Sequence, residues 1–503
     1  MKETKENKLH MVVIILGIIF IMIPNFHNNI WSDEAYTVGI VENSFCDIWR
    51  IGSYDVHPVL YYWILHLAYL IFGSNIYVYR IMSVIPLAIL GILGYTHIKR
   101  DFGEKVGILF SFFTFALPIT VSYAGEIRMY TWAMLFVTLM AIYAYRIYKN
   151  STIKNWIIFA IFSLASAYTH YYALATAGII NLILFIYLIY KTIKSHKENK
   201  ENKIYSKELK CFTISAIVQV LLYMPWMFAF IGQLKGVSNE YWIPKPSIGI
   251  FFQIFTFQFT GDLDATYINN ILAMIFEYIL ILYMIYLMIS NKERKPGILA
   301  IGIYLDVLFV VYIISLKMPI LYARYFLTLV GLLIFFLAFF MAKEKRKIIT
   351  IVMCCITLIM AIRVNINLIK KSYAPNNRQA IDYIEKEFQG GDIIYWGKFG
   401  EGFSLVMQLK NNDVPVYYYS KKYYYWTNPR ALEAYGSNMT EIDNIEVFDN
   451  YKGRIWIIGR DGFSAYDELA QRYGEKIKKI KQEKFNMDYH SRKCSITLVE
   501  KEI

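Results

Sequence analysis

Residues 325–347 read YFLTLVGLLIFFLAFFMA and then KEKRK. Eighteen residues pass without a charge, and the next five bring four cations against one acid. A bilayer core roughly 30 Å thick takes about 17–25 apolar residues as a helix. Lys and Arg collect in the cytoplasmic loops that flank such helices. This stretch therefore reads as a membrane span that ends in the cytoplasm. Working outward, runs of the same kind lie at 10–26, 77–97, 106–123, 129–146, 155–171, 173–190, 211–231, 269–290, 298–316 and 348–365, giving eleven spans.

The loops alternate in character. Basic ones lie at 98–105, 146–154, 191–210, 291–295 (NKERK) and 343–347. Placing these and the N-terminus in the cytoplasm puts 27–57, 124–128, the turn near 172, 232–268, 317–324 and everything after 366 outside. Residues 57–73, HPVLYYWILHLAYLIFG, would break the parity as a further span. The segment is short, rich in Tyr and Trp, and carries His57 and His66, which suits a juxtamembrane helix at the outer interface. Thirteen spans, with one region subdivided differently, also satisfy the parity. The expected organisation is a polytopic α-helical membrane domain over 1–365, a linker over 366–375, and a small extracytoplasmic α/β domain over 376–503. In that last part GGDIIYWG, VPVYYYS and GRIWIIG read as strands, while RQAIDYIEKEF and SAYDELAQRYGEKI have helical periodicity.

Composition agrees. The chain is 57% hydrophobic and 18% charged, against about 45–50% and about 25% in a soluble domain. The net charge of +13 suggests a nucleic-acid partner until it is located. Residues 376–503 carry 19 basic and 19 acidic side chains, and the N-terminus plus the five basic loops account for +14. The basicity records orientation, so no nucleic-acid partner is expected. Five cysteines (46, 211, 354, 355, 494) show no metal or disulfide spacing. The apolar N-terminal run lacks a small-residue cleavage site and reads as an uncleaved span.

Four clusters fall at one expected depth on the outer face. Asp33 and Glu34 follow the first span among Trp31, Ala35, Tyr36 and Val38, with Asp55 and His57 further along the same loop. Carboxylates held among interface aromatics are costly unless they have a role or a partner. Glu126, Arg128 and Tyr130 sit at the junction of two spans, His170 and Tyr171 at another, and Arg324 opens a span. Each alone has a plain reading: a solvated loop, a local ion pair, interfacial packing or snorkelling. Together they supply a base for an attacking group and arginines for a phosphate that leaves with charge. Glu277 and Asp306 lie within spans, where an acid is functional or paired. Tyr241 and Trp242 suggest a substrate-contact loop, Asp262 and Asp264 make a weak DxD pair, and Asn438-Met-Thr440 spells a glycosylation sequon. No Walker sequence, HExxH or GxSxG occurs, which argues against an ATP-driven pump or a conventional protease.

Trp31-Ser-Asp33-Glu34-Ala, Asp55-Val-His57-Pro58-Val-Leu-Tyr61-Tyr62-Trp63, Phe72-Gly73, Arg80, Glu126-x-Arg128-x-Tyr130, Thr169-His170-Tyr171-Tyr172 and Ala323-Arg324-Tyr325-Phe326 together resemble the bacterial branch of the protein O-mannosyltransferase and aminoarabinose lipid A transferase superfamily. These are polytopic glycosyltransferases of the C fold class. The resemblance is strongest over about 30–180. Val59 stands where the family usually writes a second proline. It implies inverting transfer of a sugar from a polyprenyl-phosphate donor on the non-cytoplasmic face of the cell membrane, to an acceptor protein, lipid or glycopolymer. By that resemblance Asp33 takes the position of the base, with Glu34 beside it. Arg128, Arg324 and Tyr130 fall on the donor-phosphate side, and Asp55, His57, Glu126, His170 and Tyr171 line the substrate pocket. No metal is assigned; two arginines could carry the phosphate charge without one. The rival reading is a transporter or flippase of a lipid-linked saccharide, which would more often show duplicated halves and broken midplane helices. A non-catalytic receptor would require the outer-face charges to be incidental.

Overall fold

The computed structural model describes residues 2–197, 203–239, 243–261, 268–373, 377–396, 414–418, 429–435, 439–460, 465–487 and 492–503. Tyr241, Trp242, Asp262, Asp264 and Asn438 lie outside them. The helical part opens with α1 (Lys2–Met22), α2 (Ser32–Val41), α3 (Phe45–Gly52) and α4 (Leu60–Phe72). α5 (Ile76–Leu93) continues through a π turn at Gly94–Ile98 into α6 (Lys99–Phe102), followed by α7 (Glu104–Ala116) and α8 (Pro118–Ser122). Then come α9 (Tyr130–Lys149), α10 (Ile153–Thr169), α11 (Tyr171–Lys197) and α12 (Lys203–Asn239). α13 (Ile250–Thr260), α14 (Ile268–Ser290), α15 (Lys295–Ser315), α16 (Val330–Met341) and α17 (Lys347–Ser372) complete it.

Among the described residues, nine helices of at least 18 residues are apolar enough to cross a membrane. They fall on nine of the eleven expected spans. The other two are shorter. The 155–171 run is α10, with 17 residues. The 106–123 run breaks at Leu117, which is extended (φ −69°, ψ 127°) before Pro118. The proline ring disfavours the helical region for the residue preceding it, so α7 stops and α8 restarts. The 27–57 loop is folded into α2 and α3. α4 has 13 residues, about 20 Å of helix, too short to span; Leu70, Ile71 and Phe72 at its end are at least 60% exposed. α17 runs through Ser372, so most of the expected 366–375 linker is helical.

α16, the stretch richest in apolar residues, is buried at all twelve positions. A helix apolar on every side must be enclosed on every side, and α7, α9, α14 and α15 pack around it. Gly331 makes one of these approaches close: a Cβ there would overlap Thr138 of α9. The perimeter is apolar and exposed, with Val220, Phe228, Leu272, Leu282 and Ile359 all above 60%. Such a surface belongs in lipid.

The basic segments meet at one end of the bundle. Arg146 Nε donates to Asp101 at 2.9 Å, and Lys99 pairs with Glu104 and Asn7. Lys343 lies 2.9 Å from Glu293, and the Tyr148 and Tyr187 rings are 5.0 Å apart.

The C-terminal part contains α18 (Asn377–Glu385), β1 (Ile393–Trp396), β2 (Val416–Tyr418), β3 (Met439–Glu441), β4 (Gly453–Arg460), α19 (Ala465–Tyr473), β5 (Ile477–Met487) and β6 (Arg492–Lys501). The sheet order is β3-β2-β1-β4-β6-β5. β3, β2, β1 and β4 are parallel, and β6 pairs antiparallel with β4 and β5. Alternation along β1 and β4 buries both faces: Tyr395 and Ile457 pack with Leu469 of α19, while Trp456 meets Tyr383 of α18. The segment Pro429–Tyr435 docks on the helical part. Arg50 binds Glu433 at 2.6 Å, Arg430 donates to the Tyr54 hydroxyl at 2.6 Å, and the Tyr36 and Tyr435 rings meet edge-on.

Candidate active site

The chain is extended at Trp31 and turns helical at Ser32, so Asp33 and Glu34 fall in the first turn of α2. Free backbone N–H groups favour carboxylates there. Adjacent helical positions point about 100° apart, and the two acids separate accordingly. Glu34 is 1% exposed. Its oxygens accept from Arg80 at 2.9 and 3.1 Å, from the Ile127 N–H at 2.9 Å and from the Trp31 N–H at 3.3 Å. Arg80, on α5, also donates to the carbonyls of His27 (3.1 Å), Gly125 (2.8 Å) and Asn29. This pair ties the start of α2, the end of α1, α5 and the α8–α9 turn together. Gly125 must be glycine for that approach, because a Cβ would overlap the Asn25 side chain.

Asp33 faces the other way. Its side chain is 30% exposed, and its Oδ2 accepts from Arg324 at 3.1 Å. Arg324 begins the turn Ala323–Leu329 that leads into α16, and its guanidinium lies over the rings of Trp31 (5.4 Å) and Tyr322 (5.3 Å). Arg128 approaches from the α8–α9 turn, donating to the Asp33 carbonyl at 3.1 Å and to Thr37 Oγ1 at 3.3 Å. Both guanidinium groups therefore hold Asp33, Arg324 by its partly open carboxylate and Arg128 by its main-chain carbonyl.

Around them stand the remaining expected residues. Asp55 Oδ2 lies 3.3 Å from His57 Nδ1 and accepts from the Tyr62 hydroxyl at 3.3 Å. Burial pushes the Asp55 carboxyl up, but its bond to His57 and the charges of His57 and Arg128 hold it below the usual range. Burial lowers His57, the larger influence despite Asp55. His57 donates to Asp55 when its Nδ1 carries a proton. Glu126 is pushed up to about 8 by burial first and the Glu34 charge second. The ring centres of Tyr130, His170 and Tyr325 lie 5.3–6.4 Å from one another, and His57 lies 5.8 Å from His170. Among the described residues, Arg128 Nε, Arg324 Nε, Glu126 Oε1, the Tyr130 hydroxyl and His170 Nε2 are buried without a hydrogen-bond partner. Each costs about 1–3 kcal/mol in that state. Five in one cluster make a place suited to an oxygen-rich, negatively charged ligand.

Tyr171 stands apart. Its hydroxyl donates to Gln233 and accepts from Trp226 Nε1 at 3.2 Å, on the α12 side. Glu277 is fully buried on α14, and Asp306 lies exposed on the perimeter of α15; neither reaches this cluster.

Residues 56–229 match the model of the family described as dolichyl-phosphate-mannose-protein mannosyltransferase. Comparison with curated proteins found no match. ArnT from Cupriavidus metallidurans in the apo state superimposes with a TM-score of 0.64 at 9% identity, covering 97% of each chain. ArnT from the same organism bound to undecaprenyl phosphate gives 0.60 at 10% identity, again over 97% of each chain. The overall fold is the one these two ArnT structures have. The segment matched by the family model contains His57, Arg80, Glu126, Arg128, Tyr130, His170 and Tyr171. Asp33, Glu34, Asp55 and Arg324 lie outside it.

Arg80 has no site role legible in the sequence beyond its place in the resemblance, although an arginine four positions into an apolar helix is itself a signal of a buried partner. Tyr325 was likewise quoted only in the motif. Its place among His57, Tyr130 and His170 depends on a tertiary approach with no local sequence trace.

Proposed function

We propose that this chain is an integral-membrane glycosyltransferase that moves a sugar from a polyprenyl-phosphate donor to an acceptor on the outer face of the cell membrane, with inversion. The observation that carries the reading is Asp33: a partly exposed carboxylate bonded by Arg324, with Arg128 on the same residue's main-chain carbonyl and unsatisfied polar groups nearby. The ArnT fold and its bound undecaprenyl phosphate support a lipid phosphate as the leaving group. Clustering of the basic loops at the opposite end of the bundle supports a cytoplasmic N-terminus and an extracytoplasmic C-terminal part.

In this mechanism Arg324 and Arg128 bind the donor phosphate. Arg324 then leaves Asp33, whose carboxylate becomes free to accept a proton. The acceptor oxygen attacks the anomeric carbon from the side opposite the phosphate. As the new C–O bond forms, the bond to the phosphate oxygen breaks, the hydroxyl proton passes to Asp33, and polyprenyl phosphate departs with its charge on the arginines. Asp55 and His57 orient the sugar, and Glu126, neutral near pH 7, serves as a hydrogen-bond donor to it. Glu34 is assigned to hold α2 through Arg80 and takes no proton. The donor sugar and the acceptor are left as classes.

The test is turnover by the full chain in vesicles containing a panel of polyprenyl-phosphate sugars, with the product's anomeric configuration read by NMR. Free polyprenyl phosphate with an inverted product supports the proposal. Recovery of the intact donor on the opposite leaflet would mean a transporter instead.

A further inference from the structure

At the basic end of the bundle, away from Asp33, the packed helices α9, α11, α15 and α16 leave a space between them. They surround a cavity of about 480 Å³. Its walls include Ile142 of α9, Leu184 of α11, Ile303 of α15 and Phe335 of α16, each at most 9% exposed. The volume is within the roughly 300–1,000 Å³ of ligand pockets. A space with such apolar walls disfavours water and accepts hydrocarbon.

The rim differs from the interior. Tyr148, Ile298 and Leu299 are 37–46% exposed, so the cavity opens on the side of the bundle that faces lipid. Arg294 and Lys295 line the mouth. Lys149 Nζ stands 5.6 and 5.8 Å from the ring centres of Tyr145 and Tyr148, which also line it. Among the described residues of this end, Asp101 pairs with Arg146, Glu208 with Lys191, and Glu293 with Lys343. Among the described residues, no ion pair joins Lys149, Arg294 or Lys295 to a carboxylate. An apolar slot with three cations at its mouth, none ion-paired among the described residues, complements one chemical shape, a hydrocarbon chain ending in an anionic headgroup.

We propose that this cavity binds an anionic glycerophospholipid of the adjacent leaflet, one acyl chain inside and its phosphodiester on Arg294, Lys295 and Lys149. Basic pockets between membrane helices hold such headgroups through charge attraction. The lipid is distinct from the donor, whose phosphate site is at the other end of the helices. Bound there, it fills the gap between α9 and α11 on one side and α15 and α16 on the other.

The experiment is native mass spectrometry of the full chain taken from vesicles of equal phosphatidylglycerol and phosphatidylcholine. The expected result is one retained phosphatidylglycerol, preferred about tenfold or more. The triple variant Lys149→Gln, Arg294→Gln, Lys295→Gln loses the preference, and Ala141→Phe, which fills the cavity, loses the retained lipid. The triple variant alters only exposed side chains, so it keeps the test decisive should Ala141→Phe fail to fold. Equal retention of both lipids by the unaltered chain, an unchanged preference in the triple variant, or preferential retention of added polyprenyl phosphate would overturn the proposal.

Discussion

Asp33 and Glu34 are adjacent and differ by one methylene, yet Glu34 is 1% exposed and the Asp33 side chain 30%. The residue pattern made both visible as interface acids and only the resemblance set Asp33 ahead as base, because the partner that separates them, Arg80 or Arg324, is 46 or 291 positions away. Two predictions belong to this scale. Arg324 bonds Asp33 in the structure, so the donor phosphate must compete for it. Asp33→Asn removes the competing charge and should tighten binding of polyprenyl phosphate severalfold while transfer falls; equilibrium binding checks this, and weakened binding would exclude the competition. Glu126 is an acid of ordinary pKa 4.5 raised to about 8 in the fold. The folded chain therefore retains a proton that the unfolded chain releases between those values, and stability falls as pH rises through that window. Glu126→Gln should remove this fall, so that its melting temperature gains on the unaltered chain from about pH 5 to about pH 8; parallel melting curves would refute the assignment.

At the scale of elements, spans were legible because apolar length is a local property. What escaped was set by single residues or by distant pairing. Pro118 divides one expected span into α7 and α8. β5, IKKIKQEKFNM, is lysine-rich because it is an edge strand, where lysines discourage further pairing; its charge hid it among solvated segments. The turn of α2 onto α5 rests on Glu34 and Arg80, a pair read in the sequence only as separate residues. Arg80→Met leaves the Glu34 carboxylate buried without its cation, a loss of about 3–5 kcal/mol. Thermal unfolding in detergent should show the large drop, whereas Arg50→Met, at an exposed pair with Glu433, should lose no more than about 1 kcal/mol.

For the whole molecule, charge placement and site placement coincide. The basic segments that the sequence assigned to the cytoplasm meet at one end, and the acids, arginines and tyrosines of the candidate site gather at the other. The clusters were legible one by one; their convergence required α2, α5, the α8–α9 turn and the start of α16 to be brought together. In a cysteine-free background, single cysteines at Ser495 or Thr440 should react with an impermeant reagent from outside intact cells, and one at Lys345 only after permeabilisation. The reverse pattern would invert the proposed topology. The central claim is transfer from a lipid phosphate with Asp33 as base. It is tested most directly by the rate of polyprenyl phosphate release in vesicles for the unaltered chain and for Asp33→Asn. The account predicts release matched one to one by glycosylated acceptor, and a decrease of about 10²–10⁴-fold in the variant. Full release by Asp33→Asn would contradict it.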